Sequence, residues 1–234
     1  GATPVFVDCD PEYYTIDVTQ VSSRISSKTK AVIAVHLYGQ MANMSELVSL
    51  SGKNSFEIIE DCAQAHGAAQ MDKYAGTYGI AGCYSFYPVK NLGAYGEGGA
   101  VVTNDKVIEE KVRMLRMYGS KEKYTYELLG NNYRMSELQG AILDIKLKEL
   151  HRWTERRIEL ANRYTHQLSS VAEITIPAIR SGNRHVFHLY VIRTRKRDAL
   201  RLYLEKKGIR TEMHYPIPCH LQPVYEYLNY KKGD

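Results

Sequence analysis

The stretch Tyr84-Ser85-Phe86-Tyr87-Pro88-Val89-Lys90-Asn91-Leu92-Gly93-Ala94-Tyr95-Gly96-Glu97-Gly98-Gly99 sets one lysine between an aromatic-rich approach and a run of glycines. Gly93, Gly96, Gly98 and Gly99 are expected to allow positive φ and a close approach of backbone to a ligand, which a solvent-facing helical lysine would not need. A phosphate-bearing aldehyde fits both features. A lysine amine condenses with such a carbonyl, and the hydroxyl of Ser85 can hydrogen-bond the phosphate. A surface lysine in a plain glycine turn is the alternative that this stretch alone leaves open. Common nucleotide cradles are excluded, because Gly96, Gly98 and Val101 break G-x-G-x-x-G and no Gly-Lys-Ser or Gly-Lys-Thr is present.

Outward from the loop, the chain reads as alternating strands and helices. Val5-Phe6-Val7, Ala31-Val32-Ile33-Ala34-Val35 and Phe56-Glu57-Ile58-Ile59 are expected strands, the second an apolar run of the kind buried on both faces of a parallel sheet. A helix over Asn43 to Leu50 completes a βαβ unit, and residues just past strand ends are where such sheets bind ligands. Gly82 to Phe86 and Gly99 to Thr103 flank the lysine loop as strands, and a helix follows from Lys106 to Met117, capped by Asn104 or Asp105. Tyr118 to Tyr133 shows no period and reads as a long loop or arm. Ser136-Glu137-Leu138-Gln139 has the capping-box pattern and opens a long helical region, broken near His151. Val186 to Ile192 and Ile209 to His214 are expected strands, with a helix from Asp198 to Lys207 between them. The expected organisation is α/β, with a cofactor-binding large domain over residues 1–150 and a small domain over residues 151–234.

Composition excludes several classes. The 31 basic residues are interspersed with 26 acidic ones, so the net charge of +5 forms no nucleic-acid footprint, while an anionic small substrate is compatible with it. Cys9, Cys62, Cys83 and Cys219 form no C-x-x-C pair and read as free thiols in a reducing compartment, which makes the expected location cytoplasmic. The longest apolar run, near Ala31 to Val35, is too short to span a bilayer.

Asp61 leaves the end of an expected buried strand, with Gln64 three residues later in Glu60-Asp61-Cys62-Ala63-Gln64-Ala65-His66-Gly67. With a pyridoxal phosphate on Lys90, Asp61 is placed to keep a ring nitrogen protonated and Gln64 to reach the ring oxygen. Taken alone, Asp61 would equally serve as a turn or cap residue.

Gly1 to Asp8, Val35 to Gly39, Glu60 to Ala68, Ser85 to Gly99 and Gly130-Asn131-Asn132-Tyr133-Arg134-Met135 together resemble successive motifs of the DegT/StrS family of nucleotide-sugar aminotransferases, in order and spacing over almost the whole chain. The resemblance implies an aspartate aminotransferase-like fold: a large α/β domain on a mostly parallel seven-stranded sheet, a smaller C-terminal domain, and active sites shared across a homodimer. It implies that Lys90 is the Schiff-base lysine, Asp61 the ring-nitrogen partner, Gln64 the ring-oxygen contact and Ser85 a phosphate ligand. Asn132 would reach the phosphate of the neighbouring subunit's site, Arg134 would contact substrate, and His214 and Tyr215 would border the sugar-nucleotide cleft. Members carry a further segment before the position of Gly1, including a phosphate-binding helix N-terminus, so the chain is expected to be a fragment, incomplete at its N-terminal side and its extreme C-terminus. The implied reaction moves an amino group from an amino acid, glutamate being the expected donor, to a nucleotide-linked keto-sugar. Tyr118 to Tyr124 is similar to the arm of members acting on 3-keto sugars. Lysine at position 90 argues against a hydroxyl-removing relative that carries histidine there. The competing reading is a non-catalytic fragment or regulatory domain that retains the fold.

Overall fold

The computed structural model describes residues 1–233. Two compact units form. The larger takes Val7–Gln167 and Pro177–Tyr190, and the smaller takes Gly1–Phe6, Leu168–Ile176 and the chain from Val191 onward.

The larger unit opens with α1 (Val18–Arg24), whose N-cap Asp17 accepts from the Thr19 N–H. There follow β1 (Ala31–Val35), α2 (Met44–Asn54), β2 (Glu57–Asp61), the short β3 (Ala69–Gln70) and β4 (Lys73–Tyr74), then β5 (Ala81–Ser85) and β6 (Gly99–Val102). β1, β2 and β5 are parallel neighbours, and β6 closes the edge antiparallel to β5, in the order β1-β2-β5-β6. The pattern is α/β and mostly parallel. Val32, Ala34 and Ile58 alternate with outward residues and pack against Val18 and Val21 of α1 and Met44 and Leu47 of α2. Only one face of β1 is buried. Ile33 stands 59% exposed, so the apolar run is an alternating strand here and not one covered on both sides.

Beyond β6, Asp105 caps α3 (Lys106–Leu115) by accepting from the N–H groups of Val107 and Ile108. The arm is less irregular than expected: it holds a small hairpin of β7 (Ser120–Glu122) and β8 (Thr125–Tyr126). α4 (Glu137–Leu147) starts at Ser136, whose side chain makes no capping bond, so the capping-box pattern locates the helix start without forming its reciprocal bonds. α5 (Leu150–Leu168) begins after a break at residues 148–149. Val186 to Ile192 forms no strand. The short β9 (Asn183–Arg184) pairs with β3 instead, and the N–H groups of Val186 and Leu189 go to the carbonyls of Gly39 and Tyr38.

In the smaller unit, Phe6 packs edge-on against Tyr225 and Tyr230, with ring centroids 5.1 and 5.5 Å away, and α6 (Arg197–Lys206) matches the expected helix. Val5 to Val7 and Ile209 to His214, expected as strands, carry no strand pairing; Val5 lies 59% exposed and Phe6 is held by ring contacts.

Candidate active site

The carboxyl ends of the three parallel strands bring the first group of candidate residues together. Asp61 ends β2 and pairs in register with Cys83 of β5, two residues before Ser85. Cys62 continues the strand contact by donating its N–H to the Cys83 carbonyl at 2.8 Å. Past β1, the Tyr38 N–H donates to Gln64 Oε1 at 2.6 Å, which fixes the orientation of that buried amide. Asp61 Oδ1 accepts the Ala63 N–H at 3.0 Å, so its carboxylate is anchored at the first turn beyond the strand.

Lys90 sits half-buried on the connection between β5 and β6. Its N–H donates to the Tyr87 carbonyl, and the Phe86 N–H and carbonyl bond to Gly98 and Ala94 across the loop. The glycines here work by closeness and not by conformation, for none of the four has positive φ. A Cβ on Gly93 would strike the Pro88 carbonyl, and one on Gly98 would lie 2.7 Å from Met135 Sδ. The loop thereby packs directly on the start of α4. Leu92 and Ala94 form a small core with Leu143, and Lys146 donates to the Gly93 carbonyl.

His66 was not among the expected site residues, yet it lies buried against Tyr84 and Phe86, with ring centroids 5.2 and 5.9 Å apart. Neither of its ring nitrogens meets a partner at hydrogen-bonding geometry. Burial pushes the imidazole down to about 4, opposed by the nearby Ser85 backbone and assisted by the Lys90 charge, so the ring is neutral at pH 7.

On the other face of β2, Glu60 is fully buried and fully bonded. Oε1 accepts from the N–H groups of Tyr78 and Gly79 at 2.6 and 2.7 Å, and Oε2 accepts from Gly76 at 2.8 Å and from His36 Nε2 at 2.9 Å. Because His36 Nδ1 accepts the Ala42 N–H at 3.2 Å, Nε2 carries the proton. Burial acts to raise the Glu60 carboxyl, but the His36 bond and the loop N–H groups outweigh it and hold the pKa below its ordinary value. His36, Glu60 and Cys62 place donor atoms within 4.8 Å of one another, but these hydrogen bonds occupy both carboxylate oxygens and both ring nitrogens. The cluster is a polar anchor for the loop at residues 76–79, not a metal site.

The second group of candidates lies elsewhere. Asn132 and Arg134 are exposed, and Arg134 Nε donates to Asn132 Oδ1 at 2.9 Å. Their loop is tied to the end of α3 through the Asn131 N–H to the Leu115 carbonyl and the Tyr133 N–H to the Arg116 carbonyl. His214 and Tyr215 belong to the smaller unit, their rings 5.1 Å apart.

A lysine loop follows one strand of the parallel set and an anchored aspartate ends its neighbour, an arrangement of the kind in which α/β folds place ligands at the carboxyl ends of strands. The chain belongs to the DegT/DnrJ/EryC1/StrS aminotransferase family, whose model matches residues 1–234. It is 48% identical over 235 residues to a "pleiotropic regulatory protein" of Geobacillus stearothermophilus, covering 100% of this chain and 63% of that one. It is 44% identical over 225 residues to a dTDP-3-amino-3,4,6-trideoxy-alpha-D-glucose transaminase of Streptomyces venezuelae, covering 96% of this chain and 59% of that one. The crystal structure of S. venezuelae DesV in complex with a ketimine intermediate superimposes with a TM-score of 0.97 at 42% identity, over 100% of this chain and 63% of that one. The chain thus spans about 60% of the length of the curated relatives it matches. Aminotransferases of this family depend on pyridoxal 5'-phosphate.

The residues present fit that group. Lys90 offers an amine, Asp61 an anchored carboxylate and Gln64 an oriented amide. Ser85 Oγ accepts the Tyr87 N–H at 3.3 Å, which leaves its own hydrogen to donate. Sequence reasoning missed Glu60, His36 and Asn91, whose partners are brought near only by the fold. A buried acid directly before the strand-end aspartate was the one available signal for the first.

Proposed function

We propose that the complete polypeptide is a pyridoxal phosphate-dependent transaminase, moving an amino group from an amino acid, glutamate by preference, to C3 of a nucleotide-linked keto-sugar. One observation carries this reading: Lys90 follows the end of β5, directly beside the end of β2 where Asp61 is anchored, in a chain of this aminotransferase family. The named activity of the S. venezuelae relative supports the substrate class.

Bound cofactor supplies an aldehyde carbon that amines add to and a ring that accepts electrons. Lys90 would hold that carbon through Nζ, and its amine would serve as the base and acid that takes and returns the substrate's proton. Asp61 keeps the ring nitrogen protonated, Gln64 steadies the ring oxygen, and Ser85 donates to the phosphate. Asn132 completes the phosphate site of a second copy in a homodimer, Arg134 contacts the substrate, and His214 and Tyr215 of the smaller unit recognise the nucleotide-sugar. The reading keeps cofactor binding within residues 1–150; of residues 151–234, expected as the small domain, 151–167 and 177–190 pack in the larger unit. It also keeps a cytoplasmic location; no helix among the described residues is long and apolar enough to cross a membrane.

The test is the complete polypeptide with Lys90→Ala, which is expected to lose transamination and borohydride-fixable cofactor together. Retention of both would overturn the assignment. Mixing Asn132→Ala with Lys90→Ala protein then tests the shared site: hybrid dimers are expected to regain activity, because one of their two sites has both residues intact.

A further inference from the structure

The residue after the lysine carries more than the loop needs. Asn91 is 6% exposed, and its amide spans a separation of 95 residues to donate from Nδ2 to the Val186 carbonyl at 3.1 Å. Since a carbonyl can only accept, the amide orientation is determined. Oδ1 then faces His188 Nδ1 at 3.1 Å, and that nitrogen must be the donor.

The segment that Asn91 grips holds the other side of the site as well. The Val186 N–H donates to the Gly39 carbonyl at 2.9 Å and the Leu189 N–H to the Tyr38 carbonyl at 3.3 Å, while the Tyr38 N–H is the group that orients Gln64. Approach is tight here: a Cβ on Gly39, at φ +103°, would lie 2.9 Å from both His188 N and Val186 Cγ2. Two non-glycine residues sit in the left-handed region at this junction, Tyr38 at φ 61° and Phe187 at φ 44°. Backbone held this way persists only where its surroundings over-determine it, and such residues gather at functional sites. Arg157 of α5 fastens the segment from outside by donating to the Phe187 carbonyl at 3.2 Å.

We infer that Asn91 is a positioning residue: through residues 186–189 its buried amide sets Lys90 and Gln64 in register with each other. The inference rests on the reading of Lys90 as the cofactor lysine. With the amide removed, the lysine loop and the Tyr38–Gly39 turn lose their common support, and misplacement of a reacting group by about 1 Å costs up to a hundredfold in rate.

The experiment uses the complete polypeptide loaded with pyridoxal phosphate, comparing Asn91→Ala, Asn91→Asp, His188→Ala and Lys90→Ala. Asn91→Ala is expected to lower kcat roughly tenfold to a hundredfold with KM for both substrates held within about twofold. It should also shift the pH midpoint of the lysine-bound cofactor's absorbance. In cofactor-free protein, the pH dependence of Lys90 labelling by an amine reagent, followed by peptide mass spectrometry, should shift with it. His188→Ala should give the same changes in smaller measure, and the double variant should fall short of their sum. Asn91→Ala with wild-type kcat, absorbance midpoint and labelling profile overturns the inference. If Asn91→Ala does not fold, Asn91→Asp decides: it keeps the acceptor for His188 but not the donor to Val186, so wild-type values there overturn it equally. Lys90→Ala separates the two readings, because persistence of borohydride-fixable cofactor in that variant sinks the transaminase assignment itself.

Discussion

The strand-end region around Asp61 and Lys90 and the arm around Asn132 and Arg134 both supply candidate residues, but they are built in opposite ways. At the strand ends every candidate is anchored from within its own unit: Gln64 by Tyr38, Asp61 by Ala63, and the lysine loop by the close contacts of Gly93 and Gly98. In the arm, Asn132 and Arg134 are exposed and bond to one another. Preorganised groups of the first kind suit chemistry, since they need no reorganisation when charge develops. Exposed polar groups of the second kind suit a ligand or a second copy that arrives later.

The contrast can be broken most forcefully at Lys90. In the complete polypeptide, Lys90→Ala is expected to cut turnover roughly ten-thousandfold or more, beyond what loss of one general acid–base group costs, in a steady-state assay with the thermal midpoint little changed. Asp61→Ala should cost roughly a hundred- to a thousandfold in kcat, the scale of a lost charge-stabilising contact, while borohydride still fixes cofactor to Lys90. Near-normal turnover in Asp61→Ala would mean that another residue holds the ring.

Glu60→Ala breaks the strand-end region through its stability. Removing the carboxylate leaves His36 Nε2–H and the N–H groups of Gly76, Tyr78 and Gly79 without their acceptor, and each unsatisfied buried donor costs about 1–3 kcal/mol. Urea unfolding should show it. The same linkage makes part of the stability acid-sensitive. A carboxyl held below its ordinary pKa stabilises the fold above the unfolded value, and that contribution disappears as the pH falls through the folded one.

His66 sharpens the comparison by a smaller amount. Its folded pKa of about 4 lies below the ordinary 6.5, so between those values the unfolded chain binds the extra proton and stability drops as pH falls. By that linkage the loss from pH 8 to pH 5 is about 2 kcal/mol, and His66→Phe should remove it from the pH dependence of the urea midpoint. The smallest effect belongs to the arm. Asn132→Ala should change unfolding free energy by no more than about 0.5 kcal/mol, as for a surface position, whatever it does to activity.

Local signals were legible in the sequence where partners are local. Asp105 before an amphipathic run located α3 to within two residues of its end, and the parallel pairing of β1 with β2 follows from the βαβ spacing. The strand that ends at Asp61 and the strand that leads into the lysine loop were legible for the same reason. Val186 to Ile192 misled because its apolar character resembles a strand, while its hydrogen bonds go to Tyr38, Gly39 and Asn91, far along the chain. The glycines of the lysine loop misled differently. Their composition suggested left-handed backbone, whereas what they supply is the absence of a side chain against Pro88 and Met135.

The register of β2 carries a consequence for how the chain selects its native pairing. Glu60 and Asp61 are neighbours of like charge on opposite faces, one enclosed by three N–H groups and His36, the other held at the ligand edge by Ala63. A slip of one residue would exchange them. The shorter aspartate would then stand in a recess shaped for glutamate, with buried donors left unanswered, and the glutamate would protrude at the strand-end edge. Mispaired chains are therefore the unstable ones, so the two adjacent acids act as a proofreading device: a molecule that has survived folding holds Glu60 inside and Asp61 at the strand-end edge.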